Sequence, residues 1–146
     1  MNLVLKSLGA ILKGGTSPIV AFLDYGQPVA RQGLSIMNGP GNDLESITGI
    51  VASGANIILF STGMGTPEGA LIAPTIKVSS TTDVYVTLSQ DIDFNAGRLL
   101  DTNTTVENLG QELIALAIEV ANGRKTWSEK WDKHSFQIWS AGKLSL

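Results

Sequence analysis

The sequence predicts an α/β domain with three layers, a mostly parallel sheet and Rossmann-like βαβ units. Hydrophobic residues make up 43% of the 146 residues and charged residues only 16%, which favours a folded core over disorder. Short apolar runs alternate with glycine-rich turns, and amphipathic helical segments lie between them. We expect one domain, with an N-terminal arm (1–32), a core (33–123) and a C-terminal tail (124–146).

The composition excludes several classes of protein. The net charge is −3 and no basic stripe with interleaved aromatic residues occurs, so nucleic acid is not an expected partner. The absence of cysteine excludes disulfides and zinc–thiolate sites and is compatible with a cytoplasmic location. No stretch approaches the roughly 18 apolar residues of a membrane helix. Leu5, Leu8 and Leu12 recur at helical spacing, which predicts a short amphipathic helix and not a signal peptide.

The core is expected to begin with a strand–helix–strand unit. Residues 33–37 form a short apolar run suited to a buried strand. Asn42 is predicted to cap the following helix, with Glu45 as its capping-box partner, and Gly54 is predicted to end it. Residues 56–61 supply the next strand. Such βαβ units form parallel sheets with right-handed crossovers.

The second half is expected to add two strands and two helices. Residues 75–79 predict a third strand and residues 94–97 a short fourth one. Residues 83–90 fit either a strand or a helix, and the need for a crossover favours a short helix. The clearest helix covers residues 105–121, with Thr104 as its predicted cap and Glu107 as the predicted capping-box partner. Its expected apolar stripe consists of Val106, Leu109, Leu113, Leu116 and Val120.

The two ends of the chain are less regular. Residues 14–32 are turn-rich around Pro18 and Pro28, and we interpret them as an arm or an edge segment. The tail carries three tryptophans and is expected to pack across the surface of the domain.

Four polar loops are expected to meet at one edge of the sheet. Ligands of open parallel sheets bind beyond the carboxyl ends of the strands. Glycine lets backbone N–H groups approach an anion closely, so the predicted ligand is anionic and carries hydroxyls, such as a sugar acid or a phosphate. The loops cover residues 38–43, 62–69, 79–83 and 95–98. The candidate substrate-binding residues are Asn42, Asp43, Thr62, Gly63, Gly65, Thr66, Asn95 and Arg98.

The Gly63-Met-Gly65 spacing is weak evidence for a nucleotide. A dinucleotide fingerprint has a third glycine that opens a helix and an acidic residue about twenty positions later. Here Pro67 and Glu68 follow instead, so we do not expect a nucleotide.

Lys77 is the candidate catalytic residue. Strand alternation places it opposite Ile76 and Val78, where its ammonium group could face a carboxylate or a developing enolate. The alternative is a lysine on a solvated sheet face. Arg98 is correspondingly either a carboxylate clamp or a surface charge.

The remaining acids and the one histidine give no clear metal site. Asp91 and Asp93 would share one face of a strand as a paired-carboxylate or hard-metal site, but solvated loop acids are the alternative. Glu68 is either a base or a surface acid. His134 has no second ligand nearby in the sequence, so we expect no metal to be held by this chain alone.

The ordered motifs resemble the C-terminal region of the altronate/galactarate dehydratase family. They are GLSIMNGPGND at 33–43, TGMGTPEG at 62–69 and DIDFNAGRLLD at 91–101, and KGGTSPIVAFLDYG at 13–26 matches the entry into this region. The likeness covers residues 14–125, and a set of motifs in this order is far more specific than a lone glycine motif.

The resemblance implies an enzyme that removes water from a sugar acid to give a 2-keto-3-deoxy acid. It implies iron(II) or another divalent metal in the complete enzyme. It also implies, as partners, the N-terminal and middle portions of that enzyme or further copies in a homo-oligomer. A sulfo-lyase subunit acting on a small sulfonated hydroxy acid remains open, as does a non-catalytic domain that docks on a separate catalytic subunit.

Two features depart from the family pattern. Met64 stands where many relatives carry arginine or another polar residue, which weakens the loop as a carboxylate clamp. No His/Cys/Asp cluster is visible that could hold a catalytic metal, so the metal site is expected to draw on other parts of the enzyme.

Overall fold

The computed structural model describes residues 12–140 of the chain. The amphipathic helix predicted near the start lies mostly outside these residues. The strands are β1 (Ile19–Leu23), β2 (Leu34–Met37), β3 (Ile58–Thr62), β4 (Gly69–Ala70), β5 (Thr75–Ser79), β6 (Phe94–Asn95) and β7 (His134–Ser135). The helices are α1 (Asp43–Ala52), α2 (Thr82–Thr87), α3 (Arg98–Asp101), α4 (Val106–Ala121) and α5 (Trp127–Lys130).

The strands between residues 12 and 140 form three small sheets, and every strand pair in them is parallel. The largest sheet has the order β3-β5-β6, while β1 pairs with β2 and β4 pairs with β7. The predicted α/β class with parallel strands is therefore confirmed. The three-layer arrangement and the division into arm, core and tail remain predictions.

The first predicted βαβ unit does not close within one sheet. β2, α1 and β3 follow each other as expected, but β2 pairs with β1 and not with β3. The physical reason lies in the segment predicted as an arm. Its apolar run IVAFL at 19–23 satisfies the backbone groups of β2 with a parallel ladder.

Helix α4 covers one face of β5. Ile76 and Val78 pack there with Phe94 and with the inward residues of the helix. The buried helix residues are Leu109, Leu116 and Val120, and Leu113 is partly buried against them.

Two details of the predicted α4 are wrong. Val106 is 63% exposed and does not belong to the buried stripe. The cap is Thr105 and not Thr104, because the side chain of Thr105 accepts a hydrogen bond from Asn108 N at 3.2 Å. With Thr105 as the cap, Glu107 stands at the second helical position, one residue too early for a capping box.

A second apolar cluster lies between α1 and the β3–β5 region. It consists of Ile47, Ile58, Ala70 and Ala73. Asn42 caps α1 as predicted, since its side-chain oxygen accepts from Glu45 N at 3.3 Å. The predicted short helix between β5 and β6 is confirmed as α2.

The C-terminal segment packs across the domain, as predicted, and also adds two elements to it. It contributes α5 and the strand β7, which pairs with β4. Trp139 N donates to the Tyr25 hydroxyl at 3.3 Å, and the two rings meet edge to face. Within residues 12–140, no helix combines the length and the apolar character needed to cross a membrane.

Candidate functional site

The carboxyl ends of three strands lie side by side at one edge of the β3-β5-β6 sheet. Thr62 is the register partner of Ser79, and Ser79 is the partner of Asn95. The backbone pairing continues one residue further, since Ser80 N donates to Thr62 O at 3.1 Å and Ala96 N to Ser79 O at 2.9 Å. The loops that follow the three strands therefore leave from the same edge. We call these strand ends and loops the rim.

Three of the four predicted loops belong to the rim, and the loop at 38–43 is not joined to it by strand pairing. That loop follows β2, which pairs with β1 in a separate sheet. The side chain of Asn42 caps α1, and Asp43 is exposed in the first helical turn. Both positions are explained by helix formation, while their role in substrate binding remains a prediction.

The glycine-rich loop after β3 is shaped by its own residues. Gly65 N donates to Thr62 Oγ1 at 2.9 Å, and Glu68 N donates to Thr66 Oγ1 at 3.4 Å. Gly65 has a φ of +87°, and a Cβ there would lie 2.2 Å from Leu88 Cδ1. The backbone conformation therefore favours glycine, and a Cβ would in addition require the Leu88 side chain to shift. The two threonine hydroxyls predicted to bind substrate also hold the loop in this shape.

The first residues of the loop face solvent. Gly63 is exposed, and a Cβ there would meet Ser80 Oγ at 3.7 Å, an ordinary contact distance. Met64 is 89% exposed. Since Met64 carries no group that could bind a carboxylate, an anion at this loop would depend on backbone N–H groups and hydroxyls.

Asn95 joins the loops that follow β5 and β6. Its Nδ2 donates to Thr82 Oγ1 at 3.1 Å. A Cβ on Gly97 would lie 2.2 Å from Thr82 N, so the backbones of the two loops touch. A cleft of about 170 Å³ opens here, lined by Thr81, Thr82, Asp83, Gly97, Leu100 and Asp101.

The cleft carries two carboxylates that sequence reasoning did not select. Asp83 and Asp101 line it and are both exposed. Their negative charge disfavours an anionic group inside the cleft but is compatible with sugar hydroxyls. Thr82 was also missed, although the run of hydroxyl residues after β5 marked its loop.

Arg98 is engaged within the chain. Its Nη1 and Nη2 donate to the two carboxylate oxygens of Glu112 at 2.6 and 3.1 Å. The hydrogen-bonded carboxylate of Glu112 raises the pKa of Arg98 above its ordinary value. The side chains of this pair are 40% and 46% exposed, so a substrate carboxylate would have to compete with Glu112 at the surface.

Lys77 is fully buried beneath the glycine-rich loop. The residue has no exposed surface, and its Nζ donates to Pro67 O at 2.8 Å. Burial lowers the pKa of Lys77, against the attraction of the nearby Asp93 carboxylate. The predicted orientation opposite Ile76 and Val78 places the ammonium group under the loop and not on a solvated face. Its catalytic role remains a prediction.

Asp93 connects β5 to the C-terminal segment. Its Oδ2 accepts from Lys77 N at 2.9 Å, and its Oδ1 accepts from Trp127 N at 2.8 Å. Burial raises the pKa of Asp93, and the two backbone hydrogen bonds oppose that shift. Asp91 forms a separate ion pair with Lys133, at 3.6 Å between Oδ1 and Nζ. The two aspartates thus have different partners.

The residues of the described part do not fit the metal that the family resemblance implies. Between residues 12 and 140, no group of three or more His, Cys, Asp or Glu side chains is arranged to hold a metal ion. His134 Nε2 lies 3.3 Å from Asp132 Oδ1.

The fold and the rim define an α/β domain of the class in which ligands bind beyond the carboxyl ends of parallel strands. The chain belongs to the family described as D-galactarate/altronate dehydratase, C-terminal, whose sequence model matches residues 1–144. The resemblance inferred from the loop motifs is thereby confirmed.

Named relatives are similar over nearly the whole chain but are much longer. The altronate dehydratase of Bacillus subtilis (strain 168) is 40% identical over 137 residues, which are 94% of this chain and 27% of the relative. The galactarate dehydratase (L-threo-forming) of Escherichia coli (strain K12) is 37% identical over 135 residues, 92% of this chain and 26% of the relative. The (2R)-sulfolactate sulfo-lyase subunit beta of Chromohalobacter salexigens is 30% identical over 134 residues, 91% of this chain and 34% of the relative. The chain thus spans about a quarter to a third of these proteins.

Proposed function

We propose that this chain is the C-terminal part of a hydro-lyase that removes water from a sugar acid of the altronate or galactarate type. The product would be a 2-keto-3-deoxy acid. In the reaction, a proton leaves the carbon next to the carboxylate, the β-hydroxyl departs as water, and the resulting enol tautomerises to the ketone. The observation that carries the proposal is the rim, in a chain that belongs to a dehydratase family.

The rim would bind the hydroxyl groups of the substrate. Thr62, Thr66 and Asn95 carry neutral groups that both donate and accept hydrogen bonds, which suits a polyol. Gly63 and Gly65 allow the backbone of the loop to approach the ligand closely. This assignment keeps the predicted binding residues of the rim except Arg98, which is paired with Glu112, and adds Thr82, the partner of Asn95.

The carboxylate of the substrate and the metal would be bound largely by other parts of the enzyme. Arg98 is paired with Glu112, and the cleft beside Asn95 is acidic. Iron(II) or another divalent ion, held outside the described residues, would supply the charge that an enediolate needs. The proposal therefore requires the N-terminal and middle portions as partners, and with them we propose a cytoplasmic enzyme.

Lys77 would act from beneath the glycine-rich loop. Its ammonium group lies in a buried place where a charge is weakly screened, and it holds the loop through Pro67 O. We expect Lys77→Met to lower kcat by about a hundredfold, the range for one lost electrostatic contact.

Thr75→Val is the matched control for Lys77. Thr75 lies on the same buried face of β5, and its Oγ1 accepts from Ala70 N at 3.0 Å. The Thr75→Val substitution removes this hydrogen bond to Ala70 without removing a charge. If both variants reduce kcat to the same extent, Lys77 has a structural role and leaves the list of catalytic candidates.

The test of the function uses a full-length enzyme. This chain replaces the matching C-terminal region of the altronate dehydratase of Bacillus subtilis, and formation of keto acid is measured with altronate and galactarate in the presence of ferrous ion. Asn95→Ala should reduce kcat/KM by roughly two- to tenfold, as expected for one neutral hydrogen bond. A folded chimera that releases no keto acid from any sugar acid would contradict the proposal.

A sulfo-lyase is the second candidate, and the similarity to a sulfo-lyase subunit beta favours it. Such an enzyme would release sulfite from a small sulfonated hydroxy acid. The same chimera, assayed with sulfolactate, separates the candidates by the release of sulfite. A keto acid forms in both reactions, but only the sulfo-lyase reaction releases sulfite. A chain that binds the rest of the enzyme but leaves its turnover unchanged would indicate a non-catalytic docking domain.

A further inference from the structure

An uncharged groove lies where β4 and β7 end. Its volume is about 560 Å³. Leu71 and Ile72 follow β4, while Phe136 and Ile138 follow β7, and all four line the groove. The other lining residues, among them Tyr25, Thr48 and Ser135, are also uncharged. An uncharged lining of this kind is suited to an apolar partner and not to a sugar acid.

The groove leaves large apolar side chains in water. Ile72 is 81% exposed, Ile138 71%, Phe136 60% and Leu71 50%. Four such side chains on two adjacent segments form a contiguous apolar surface. On a globular domain, a surface of this kind marks an interaction site more often than scattered single residues do.

The walls of the groove are held in place by the fold. Gly69 and Ala70 pair with His134 and Ser135 in a parallel ladder. Ser135 Oγ donates to the Glu68 carboxylate at 2.8 Å. The next residues of that wall are tied to α1, because Gln137 N donates to Thr48 Oγ1 at 3.0 Å. A surface that is ordered before binding loses little entropy when a partner docks.

We propose that this groove receives an apolar, uncharged segment from the portion of the dehydratase that precedes this domain. The proposal rests on the proposed function. In the two dehydratase relatives, the matched region is 26–27% of the length, and the family description places it at the C-terminal end. A segment tethered in the same molecule has a high effective concentration at the groove. It therefore binds there in preference to a second copy of the chain.

The experiment measures hydrogen exchange of the two groove segments, residues 70–72 and 135–138. Exchange is compared between the isolated chain and the full-length chimera that carries this chain in the Bacillus subtilis altronate dehydratase. We expect exchange in the chimera to be about tenfold slower or more. Ile72→Glu should restore fast exchange in the chimera, and Ile114→Glu should not. Ile114 is the matched control because it is 62% exposed on α4, away from the groove residues.

A second measurement needs only the isolated chain. Ile72→Glu and Phe136→Glu should lower its Tm only slightly, because these side chains are 81% and 60% exposed when the chain is alone. A large loss of stability would mean that these side chains belong to the core of this chain and would overturn the proposal.

Other occupants of the groove give different results. Slow exchange of both segments in an isolated monomer, made fast by Ile72→Glu, would mean that the chain covers its own groove. Slow exchange of both segments in an isolated chain that sediments as a dimer would assign the groove to a second copy, if Ile72→Glu abolishes both the dimer and the slow exchange. Either result, or equal exchange in chain and chimera, overturns the proposal.

The failure of this proposal is distinct from the failure of the proposed function. An active chimera with an unprotected groove contradicts only the docking surface. A chimera with a protected groove that forms no keto acid contradicts only the reaction.

Discussion

Replacing Lys77 by methionine tests the central feature of the β5 face, a buried cation under a loop. Lys77 has no exposed surface, and its Nζ donates to Pro67 O at 2.8 Å. The loss of a hydrogen bond from a charged donor costs about 1.5–3 kcal/mol. Methionine keeps a similar length and removes the desolvation penalty of the ammonium group, which offsets part of this loss. We therefore expect a net loss of about 1–2 kcal/mol in the free energy of unfolding at neutral pH.

The pH dependence of this loss follows from the pKa of Lys77. Burial lowers that pKa from the ordinary value of 10.5, and the Asp93 carboxylate opposes the shift. The contribution of Lys77 to the free energy of unfolding is therefore fully present above its pKa in the unfolded chain. It is lost as the pH falls through its lower pKa in the folded chain. Between the two pKa values, the wild type should gain about 1.4 kcal/mol per pH unit relative to the methionine variant.

The assay is urea unfolding, monitored by tryptophan fluorescence, at pH values from 7 to 10. Thr75→Val serves again as the control, because it removes a buried hydrogen bond on the same strand without removing an ionisable group. The difference between the wild type and Lys77→Met should widen with pH, while that for Thr75→Val should remain constant. A Lys77→Met difference that is flat or narrows with rising pH would refute the reasoning.

Three further predictions concern single positions. Gly65→Ala should destabilise the chain by about 1–3 kcal/mol in chemical unfolding, because of its φ of +87° and a steric clash, while Gly63→Ala should be nearly neutral. Equal effects of the two would contradict the loop geometry. Burial raises the pKa of Asp93 above its ordinary value of 3.8, so the stability from this group is present below 3.8 and is lost as the pH rises through the folded pKa. The Tm of Asp93→Asn should thus rise relative to that of the wild type as the pH rises from acid toward neutral. The opposite trend would rule out a raised pKa of Asp93. Arg98→Ala should lower Tm only slightly, because its ion pair is exposed, and the loss should disappear at about 1 M salt. A large loss that persists in salt would show that the pair is more important than its exposure suggests.

Local sequence patterns predicted most of the regular elements. Asn42 before an amphipathic run correctly marked the start of α1, and the apolar runs at 56–61 and 75–79 correctly marked β3 and β5. These predictions succeed because capping and periodicity depend on residues close in the sequence. The cap of α4 was misplaced by one residue because Thr104 and Thr105 are both competent caps, and in the structure it is the Thr105 hydroxyl that accepts from Asn108 N.

Strand pairing could not be predicted in the same way. The partner of β2 is β1, from the segment interpreted as an arm, and the partner of β4 is β7, from the tail. Both strands of the second pair have only two residues, which is too short to give a periodic signal. Their pairing is established by long-range contacts.

The candidate site was likewise predictable only in part. The motif that follows each strand predicted that polar loops would meet at a strand edge, and the register of Thr62, Ser79 and Asn95 brings three of them together. The partners of the charged residues were not predictable. Arg98 meets Glu112 and Lys77 meets Pro67 O because elements distant in the sequence are packed side by side.

By itself, the sequence determined the α/β class, the position of most helices and strands, and membership of a dehydratase family. Those properties follow from local spacing and from ordered motifs that are read along the chain. Only the tertiary structure decided which strands pair, that Lys77 lies buried under the glycine-rich loop, and that apolar side chains after β4 and β7 form one groove. The physical reason is that burial, charge pairing and register depend on which distant segments come into contact, and a linear pattern does not contain that information.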